Sequence, residues 1–191
     1  MQDITGYPHY QLKLQLRNHV PCYQKQYKLT PDDAREVERQ LNDLAESGII
    51  EPSQSVEWNV PLFLVDKKDG KKRLIADLRK TNLAVEPRVV ALPPIQQLLD
   101  EIQLQRPAFW SSYDLFSGYF QILLSEESRD VTSVTGPVSG LRWRWTRCPF
   151  GLNVSPSAML AVLNQVLGRL RESRQLGCYM DDVISLSLIH I

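Results

Sequence analysis

Long apolar runs, a secretion signal and paired cysteines are all missing from this 191-residue chain. No run of about 18 or more residues is apolar, so the sequence predicts no membrane-spanning helix. The first residues lack the basic-then-apolar pattern of a signal peptide, and the three cysteines show no CxxC spacing. We therefore expect reduced thiols in an intracellular, cytoplasmic protein that is not secreted, without a disulfide framework or a cysteine zinc site.

Net charge of either sign is also absent, because 22 basic side chains balance 22 acidic ones. The charges are nevertheless segregated along the chain. Residues 67–80 carry seven basic against two acidic side chains, and residues 32–57 carry eight acidic against two basic ones. Such segregation makes a local positive field that the total conceals. It indicates either contact with a nucleic acid or nucleotide, or a solvated lysine-rich hairpin, and charge alone leaves both open.

Helical and strand-like patterns interleave along the chain, which predicts an α+β fold. Thr30, followed by Pro31 and two acids, is a typical helix start, and apolar residues at helical spacing continue to a stop at Gly48. Strand-like runs at 60–65 and 73–78 flank a lysine-rich turn and predict a hairpin. Later segments predict helices at 95–102 and 157–171, strands at 109–115 and 141–145, and a hairpin at 178–184. The apolar side of the second of these helices is expected to comprise Ala158, Ala161, Val162, Val166 and Leu170.

Three carboxylates lie in or beside apolar, strand-like runs. Asp181 and Asp182 are adjacent at the turn of the last hairpin, and Asp114 ends a run far upstream. Adjacent like charges repel, so the fold alone gives little reason for this pair, whereas bound divalent metal ions would give one. Three carboxylates on two neighbouring strands suit a two-metal centre for phosphoryl transfer. The alternative is an ordinary acidic turn, because Asp is common in turns.

Six short motifs follow one another along the chain, and their order carries information as well as their residues. They are ESGIIEPS at 46–53, KKDG at 67–70, DLR at 77–79, YDLFSGY at 113–119, PFGL at 149–152 and YMDD at 179–182. Together they resemble the reverse transcriptases of gypsy-type LTR retrotransposons and, more distantly, of retroviruses, over residues 20–184. The resemblance implies a right-hand polymerase whose palm is an antiparallel sheet packed on helices, truncated before the thumb. Its regions would be a lead-in at 1–29, fingers with some palm at 30–108, palm at 109–184 and an atypical tail at 185–191.

The resemblance also implies an activity. An RNA-directed DNA polymerase of a retrotransposon polyprotein would add dNTPs to a primer 3′ end on an RNA or DNA template, in the cytoplasm or in virus-like particles. Asp114, Asp181 and Asp182 would be its catalytic residues and metal ligands, with Asp114 and Asp181 as the main ligands and Asp182 as a weaker ligand or an electrostatic support. They would hold Mg²⁺, with Mn²⁺ as a possible substitute, and one ion would activate the primer hydroxyl while the other stabilised the departing pyrophosphate.

Further residues match the nucleotide-binding positions of the family. Lys67 and Arg73 would grip the incoming triphosphate, although another lysine of the same turn (Lys68, Lys71 or Lys72) could replace Lys67. Phe150 stands where retroviruses usually have glutamine, and Gly151 would allow close approach of the backbone to the nascent base pair.

Aromatic residues admit two interpretations each. Tyr119, five positions after Asp114, would exclude a ribose 2′-hydroxyl and so select deoxynucleotides, or would be a core aromatic. Trp143 and Trp145, flanked by arginines, would stack on template strands or pack half-buried in a strand.

Two other functions stay open at the level of sequence. One is an inactive truncated remnant or a co-opted nucleic-acid-binding module. The other is an RNA-dependent RNA polymerase, which Tyr119 disfavours because such enzymes tend to carry an acid at that spacing. The residues after 184 do not resemble the family's continuation into thumb and ribonuclease H, and a truncated gene model, a frameshift or an assembly artefact would each explain them. Without a thumb, much of the surface for phosphate contacts would be absent.

Overall fold

The computed structural model describes residues 6–18, 20–88, 94–172, 176–179 and 182–187, and mixes helices with mostly antiparallel sheets as the α+β prediction requires. The helices are α1 (Pro31–Glu46), α2 (Arg79–Ala84), α3 (Ile95–Leu104), α4 (Glu126–Arg129) and α5 (Ser155–Glu172), with short 3₁₀ helices at Gly118–Gln121 and Asp130–Thr132. The strands are β1 (Gln11–Leu12), β2 (Ile50–Pro52), β3 (Leu62–Asp66), β4 (Lys72–Ala76), β5 (Phe109–Asp114), β6 (Leu123–Leu124), β7 (Val134–Thr135), β8 (Arg142–Trp145), β9 (Leu176–Tyr179) and β10 (Asp182–Ser187).

The chain divides into two compact units that are each built from separated segments. The first unit comprises Met1–Pro87 and Tyr119–Ser155, and the second comprises Arg88–Gly118 and Pro156–Ile191. The continuous regions expected from the sequence therefore do not coincide with these units, because Tyr119–Ser155 packs with the N-terminal part of the chain.

The first unit contains three small sheets. Strand β3 pairs with β4 as an antiparallel hairpin, β8 lies between β2 and β7, and β1 pairs in parallel with β6. Its core is aliphatic, and the fully buried side chains include Leu12, Leu41, Ile49, Ile50, Leu62, Ile122, Leu124 and Val134.

Helix α1 begins and ends where local sequence predicts. The Thr30 side chain accepts a hydrogen bond from the backbone N–H of Asp33, and Pro31 occupies the first turn. The helix ends before Gly48, whose φ of +64° is a left-handed conformation that favours glycine. Val37 and Leu41 form its buried stripe.

The predicted hairpin is confirmed, with both strands shorter than expected. Strand β3 starts at Leu62 because Pro61 has no N–H to donate to a ladder, and its carbonyl instead accepts from the N–H of Asp77. Strand β4 ends at Ala76. Helix α2 begins at Arg79, after two residues, and was not predicted, since its N-cap residue, Leu78, provides no side-chain cap.

The second unit is organised around an antiparallel sheet in the order β5-β10-β9. Strand β10 continues to Ser187, three residues beyond the predicted end at Ile184, and Leu186 in this extension is 7% exposed. Helix α3, predicted over 95–102, packs on β9.

The expected apolar side of α5 is wrong in its second half. Val166 and Leu170 are 55% and 46% exposed, whereas Ala158 and Val162 are buried as predicted. Met159 and Leu163 complete the buried stripe. Among the side chains of α5 that the structure describes, full burial is therefore confined to the first half of the helix.

No helix in the described part of the chain has both the length and the apolar character needed to cross a membrane. None of the three cysteines forms a disulfide.

Candidate active site

Two of the three predicted catalytic carboxylates lie directly opposite each other on neighbouring strands of the second unit's sheet. Asp114 is the last residue of β5, Asp182 is the first of β10, and the two are direct partners in the antiparallel register. Both are exposed. Side chains at opposed positions share one face of a sheet, and like charges there destabilise the pairing. The strand pairing therefore concentrates negative charge at a point where a bound cation would relieve the repulsion.

The donor chemistry of this pair fits a hard divalent metal. Carboxylate oxygens are preferred ligands of Mg²⁺, which keeps part of its coordination shell for substrate phosphates. Asp181, the third predicted ligand, lies outside the described residues. Among those described, no three His, Cys, Asp or Glu side chains come together as a metal site. Asp114 and Asp182 would thus supply part of a ligand set.

Three predicted nucleotide-binding residues meet in the first unit. The guanidinium carbon of Arg73 lies 4.6 Å from the ring centroid of Phe150, within range of a cation–π contact. The Phe150 ring in turn meets the ring of Tyr119 edge-on, with centroids 5.5 Å apart. Strand β4, the first 3₁₀ helix and the loop after β8 each contribute one of these side chains. We call Arg73, Tyr119 and Phe150 the arginine–aromatic cluster.

Two further aromatic residues extend the packing of this cluster. Phe120 meets Phe150 at 5.0 Å and stacks on Trp145 at 5.6 Å. Trp145 is 5% exposed, so its ring serves packing and is not available to a template base. Sequence reasoning missed Phe120, although its position beside Tyr119 was a usable signal.

Gly151 adopts a backbone conformation that suits glycine. Its φ is +97°, a conformation that favours glycine. An added Cβ would make only ordinary van der Waals contacts. Glycine is therefore required here by the backbone dihedral angle and not by lack of space. The Asn82 side chain of α2 donates to the carbonyl of Gly151 over 2.8 Å and accepts from the N–H of Asn153 over 2.9 Å. Asn82 therefore ties this loop to α2, and no local sequence pattern marks it.

The lysines of the hairpin turn are not equivalent. Lys67 is exposed at the turn, where its backbone N–H donates to the carbonyl of Lys71. Lys72 instead forms an ion pair with Asp33 of α1, and this hydrogen bond raises the pKa of Lys72. Lys72 is thus engaged by α1, which leaves Lys67, Lys68 and Lys71 as the candidate basic side chains of the turn.

The DLR motif forms a charged junction after β4. Asp77 is 6% exposed and accepts hydrogen bonds from Arg79 Nε over 2.8 Å and Arg79 Nη2 over 2.7 Å, and also from the Tyr27 hydroxyl. The Arg79 hydrogen bonds, with help from Tyr27, hold the pKa of Asp77 well below its usual range despite burial. The Arg79 side chain itself is 85% exposed. A buried carboxylate therefore orients an exposed guanidinium.

Comparisons with known proteins agree with these motifs. Residues 65–188 match the family model described as reverse transcriptase (RNA-dependent DNA polymerase). The chain is 38% identical over 189 residues to the retrovirus-related Pol polyprotein from transposon 412, and 35% identical over 176 residues to that from transposon gypsy, both of Drosophila melanogaster. It is 33% identical over 168 residues to the enzymatic polyprotein of cauliflower mosaic virus (strain Strasbourg).

The matched regions cover most of this chain but little of the relatives. They amount to 96%, 89% and 85% of the chain, and to 15%, 16% and 24% of the three polyproteins. The family model covers well over half of the chain and includes the hairpin turn with β4, the arginine–aromatic cluster and both described carboxylates. The chain therefore belongs to the reverse transcriptase (RNA-dependent DNA polymerase) family.

Proposed function

We propose that the chain is the fingers and palm part of an RNA-directed DNA polymerase, encoded within a retrotransposon or viral polyprotein, that extends a primer with dNTPs on an RNA or DNA template. The observation that carries the proposal is the register of Asp114 opposite Asp182. In this scheme the second unit is the palm with the catalytic carboxylates, and the first unit supplies the fingers with the basic hairpin.

Asp114 and Asp182, together with Asp181, would hold Mg²⁺ or Mn²⁺. Bound there, such ions would activate the primer hydroxyl and neutralise charge at the pyrophosphate leaving group. Asp114 and Asp182 would orient the bound ions, and because both side chains are exposed they leave access for the substrate.

The arginine–aromatic cluster binds the incoming nucleotide. Arg73 presents a forked, permanently charged group to triphosphate oxygens, and its contact with the Phe150 ring limits the directions that the guanidinium samples. Lys67, or a neighbouring lysine of the turn, adds a point charge. Gly151 lets the backbone approach the new base pair.

Tyr119 selects the sugar. Its ring is held edge-on against Phe150, so it cannot move aside freely to admit a 2′-hydroxyl. Exclusion by a clash discriminates between ribose and deoxyribose without any new attractive contact.

Primer extension with Mg²⁺ on an RNA template tests the proposal, using the 191-residue chain and a longer protein that includes a thumb. Asp114→Asn, Asp181→Asn and Asp182→Asn are each expected to lower the rate by roughly a thousandfold or more, because each removes a metal ligand. Asp100→Asn, which changes an exposed acid of α3, is the matched control and is expected to be neutral.

Two outcomes would count against the proposal. Unchanged extension by Asp182→Asn contradicts the metal role of the carboxylates. Failure of both wild-type proteins to extend a primer, with RNA binding retained, favours the co-opted binding module instead.

A further inference from the structure

The side chain of Gln40 on α1 bridges the open edge of β4. Its Nε2 donates to the carbonyl of Lys72 over 2.9 Å, and its Oε1 accepts from the N–H of Leu74 over 3.0 Å. Among the described strands β4 pairs only with β3, so its other edge would otherwise lack partners. The Gln40 amide, which makes one donor and one acceptor bond to β4, takes the place that a peptide group of a further strand would occupy.

The two bonded residues flank Arg73. Successive residues of a strand direct their backbone groups to opposite edges, so the N–H and C=O of Arg73 face β3, where Val65 is its partner. The backbone of Arg73 is therefore held from one side by β3 and, through both neighbours, from the other side by Gln40. The guanidinium extends from this fixed point to the ring of Phe150.

Gln40 is itself held by its own helix. Its Nε2 also donates to Glu36 Oε1 over 2.7 Å, and Glu36 accepts two hydrogen bonds from Arg39, at 2.9 and 2.7 Å. These Arg39 hydrogen bonds lower the pKa of Glu36 to about 2, so the carboxylate remains an ionised acceptor even in mildly acidic solution. Arg39, Glu36 and Gln40 thus form a connected series of hydrogen bonds along α1, which reaches the hairpin through Gln40.

We propose that Gln40 is a positioning residue for nucleotide binding, which acts by fixing β4 so that Arg73 is preorganised for the triphosphate. This inference rests on the proposed function, because it takes Arg73 as a triphosphate ligand. Binding groups that are held before the substrate arrives lose less freedom on binding, so the consequence falls on substrate affinity.

The test compares Gln40→Met, which keeps the length of the side chain and removes both hydrogen bonds to β4, with the wild-type protein. Asn42→Met, at an exposed position two residues along the same helix, is the matched control. ¹⁵N relaxation of the Arg73 Nε–Hε group reports its order without need of activity. Primer extension then gives KM for dNTP and kcat, in the native background and with Arg73→Ala.

The expected result is lower order at Arg73 Nε in Gln40→Met alone. KM for dNTP should rise about fivefold, kcat should stay within about twofold, and the effect on KM should vanish in the Arg73→Ala background because the two residues act as a unit. Unchanged order at Arg73 Nε overturns the inference, as does an equal effect of Asn42→Met, or an effect of the same size without Arg73. Absence of extension by both wild-type proteins, the 191-residue chain and the longer one, with RNA binding retained, counts against the proposed function instead, and the relaxation measurement still decides whether Gln40 positions Arg73.

Discussion

At the residue scale, Asp77 differs in kind from Asp114 and Asp182. Asp77 is buried and its charge is met by Arg79 and the Tyr27 hydroxyl, so it is satisfied by the fold itself. Asp114 and Asp182 are exposed and lie opposite each other in the sheet. A charge that the fold satisfies serves structure, whereas paired like charges raise the energy of the sheet until a cation binds. This contrast distinguishes the structural carboxylate from the candidate metal ligands.

Tyr119 offers the sharpest test among single residues. Tyr119→Ala removes the ring that meets Phe150 and is expected to relax discrimination against ribonucleotides by roughly 10-fold to 100-fold, because a steric clash is lost. The measurement is the ratio of kcat/KM for a dNTP to that for the matching rNTP.

Tyr119→Phe is the control for this experiment. It keeps the ring and removes only the hydroxyl, so discrimination should stay close to that of the wild type. If Tyr119→Ala discriminates as well as the wild type, Tyr119 does not select the sugar and serves only packing with Phe150.

At the scale of elements, the acidic helix and the basic hairpin belong together. The sequence shows their opposite charges as separate segments, and the structure joins them through Lys72 and Asp33 and through the Gln40 bridge. Helix α1 thus engages one lysine of the hairpin in an ion pair and supports the strand that carries Arg73. The acidic face of α1 therefore contacts the hairpin, in addition to being exposed to solvent.

The junction between β4 and α2 gives a pH prediction. Asp77→Asn is expected to lower the free energy of unfolding at pH 7 by about 2 kcal/mol, because hydrogen bonds from a charged partner are weakened in a buried place. The folded pKa of Asp77 lies below the ordinary value of 3.8, so its contribution is complete above that value and is lost as the pH falls below it.

Urea unfolding at pH 7 and at pH 3 measures this effect. The difference between wild type and Asp77→Asn should be smaller at pH 3, whereas Glu57→Gln, an exposed acid, should show little difference at either pH. Equal differences at the two pH values would mean that the charge of Asp77 does not contribute to stability.

At the scale of the whole molecule, a neutral chain carries a strongly positive hairpin. Net charge is zero, yet the turn exposes Lys67, Lys68 and Lys71. If this turn contacts nucleic acid, its lysines release counterions and binding must weaken with salt.

The double variant Lys67→Ala/Lys68→Ala tests whether the lysines of the turn contact nucleic acid. The slope of log affinity against log salt for an RNA template should become shallower by about one to two, since each lost phosphate contact contributes a little under one. Lys25→Ala/Lys28→Ala, which removes the same charge outside the basic segment, should change the slope less. Equal slopes for the two double variants would place the contact elsewhere.

Features that depend on interactions between residues close together in the sequence could be predicted, and features that depend on contacts between distant segments could not. The cap of α1 at Thr30 and the hairpin turn at Gly70 follow from dihedral angles and hydrogen bonds within a few residues, and both were predicted. Exposure of Val166 and Leu170 on α5 was not, because the helical pattern shows which side is apolar and not whether another element covers it.

The sequence by itself determined the family of this protein and its candidate chemical groups, because six short motifs each encode a local arrangement of acids, glycines or basic residues. Only the tertiary structure decided which of these groups meet. The register of β5 against β10 sets Asp114 opposite Asp182, and packing of the loop after β8 brings Phe150 between Arg73 and Tyr119. The contacts of Gln40 and Asn82 were likewise decided only by the tertiary structure. Such contacts join residues far apart in the chain, and they depend on strand register and on the core that holds distant segments together, which no local pattern records.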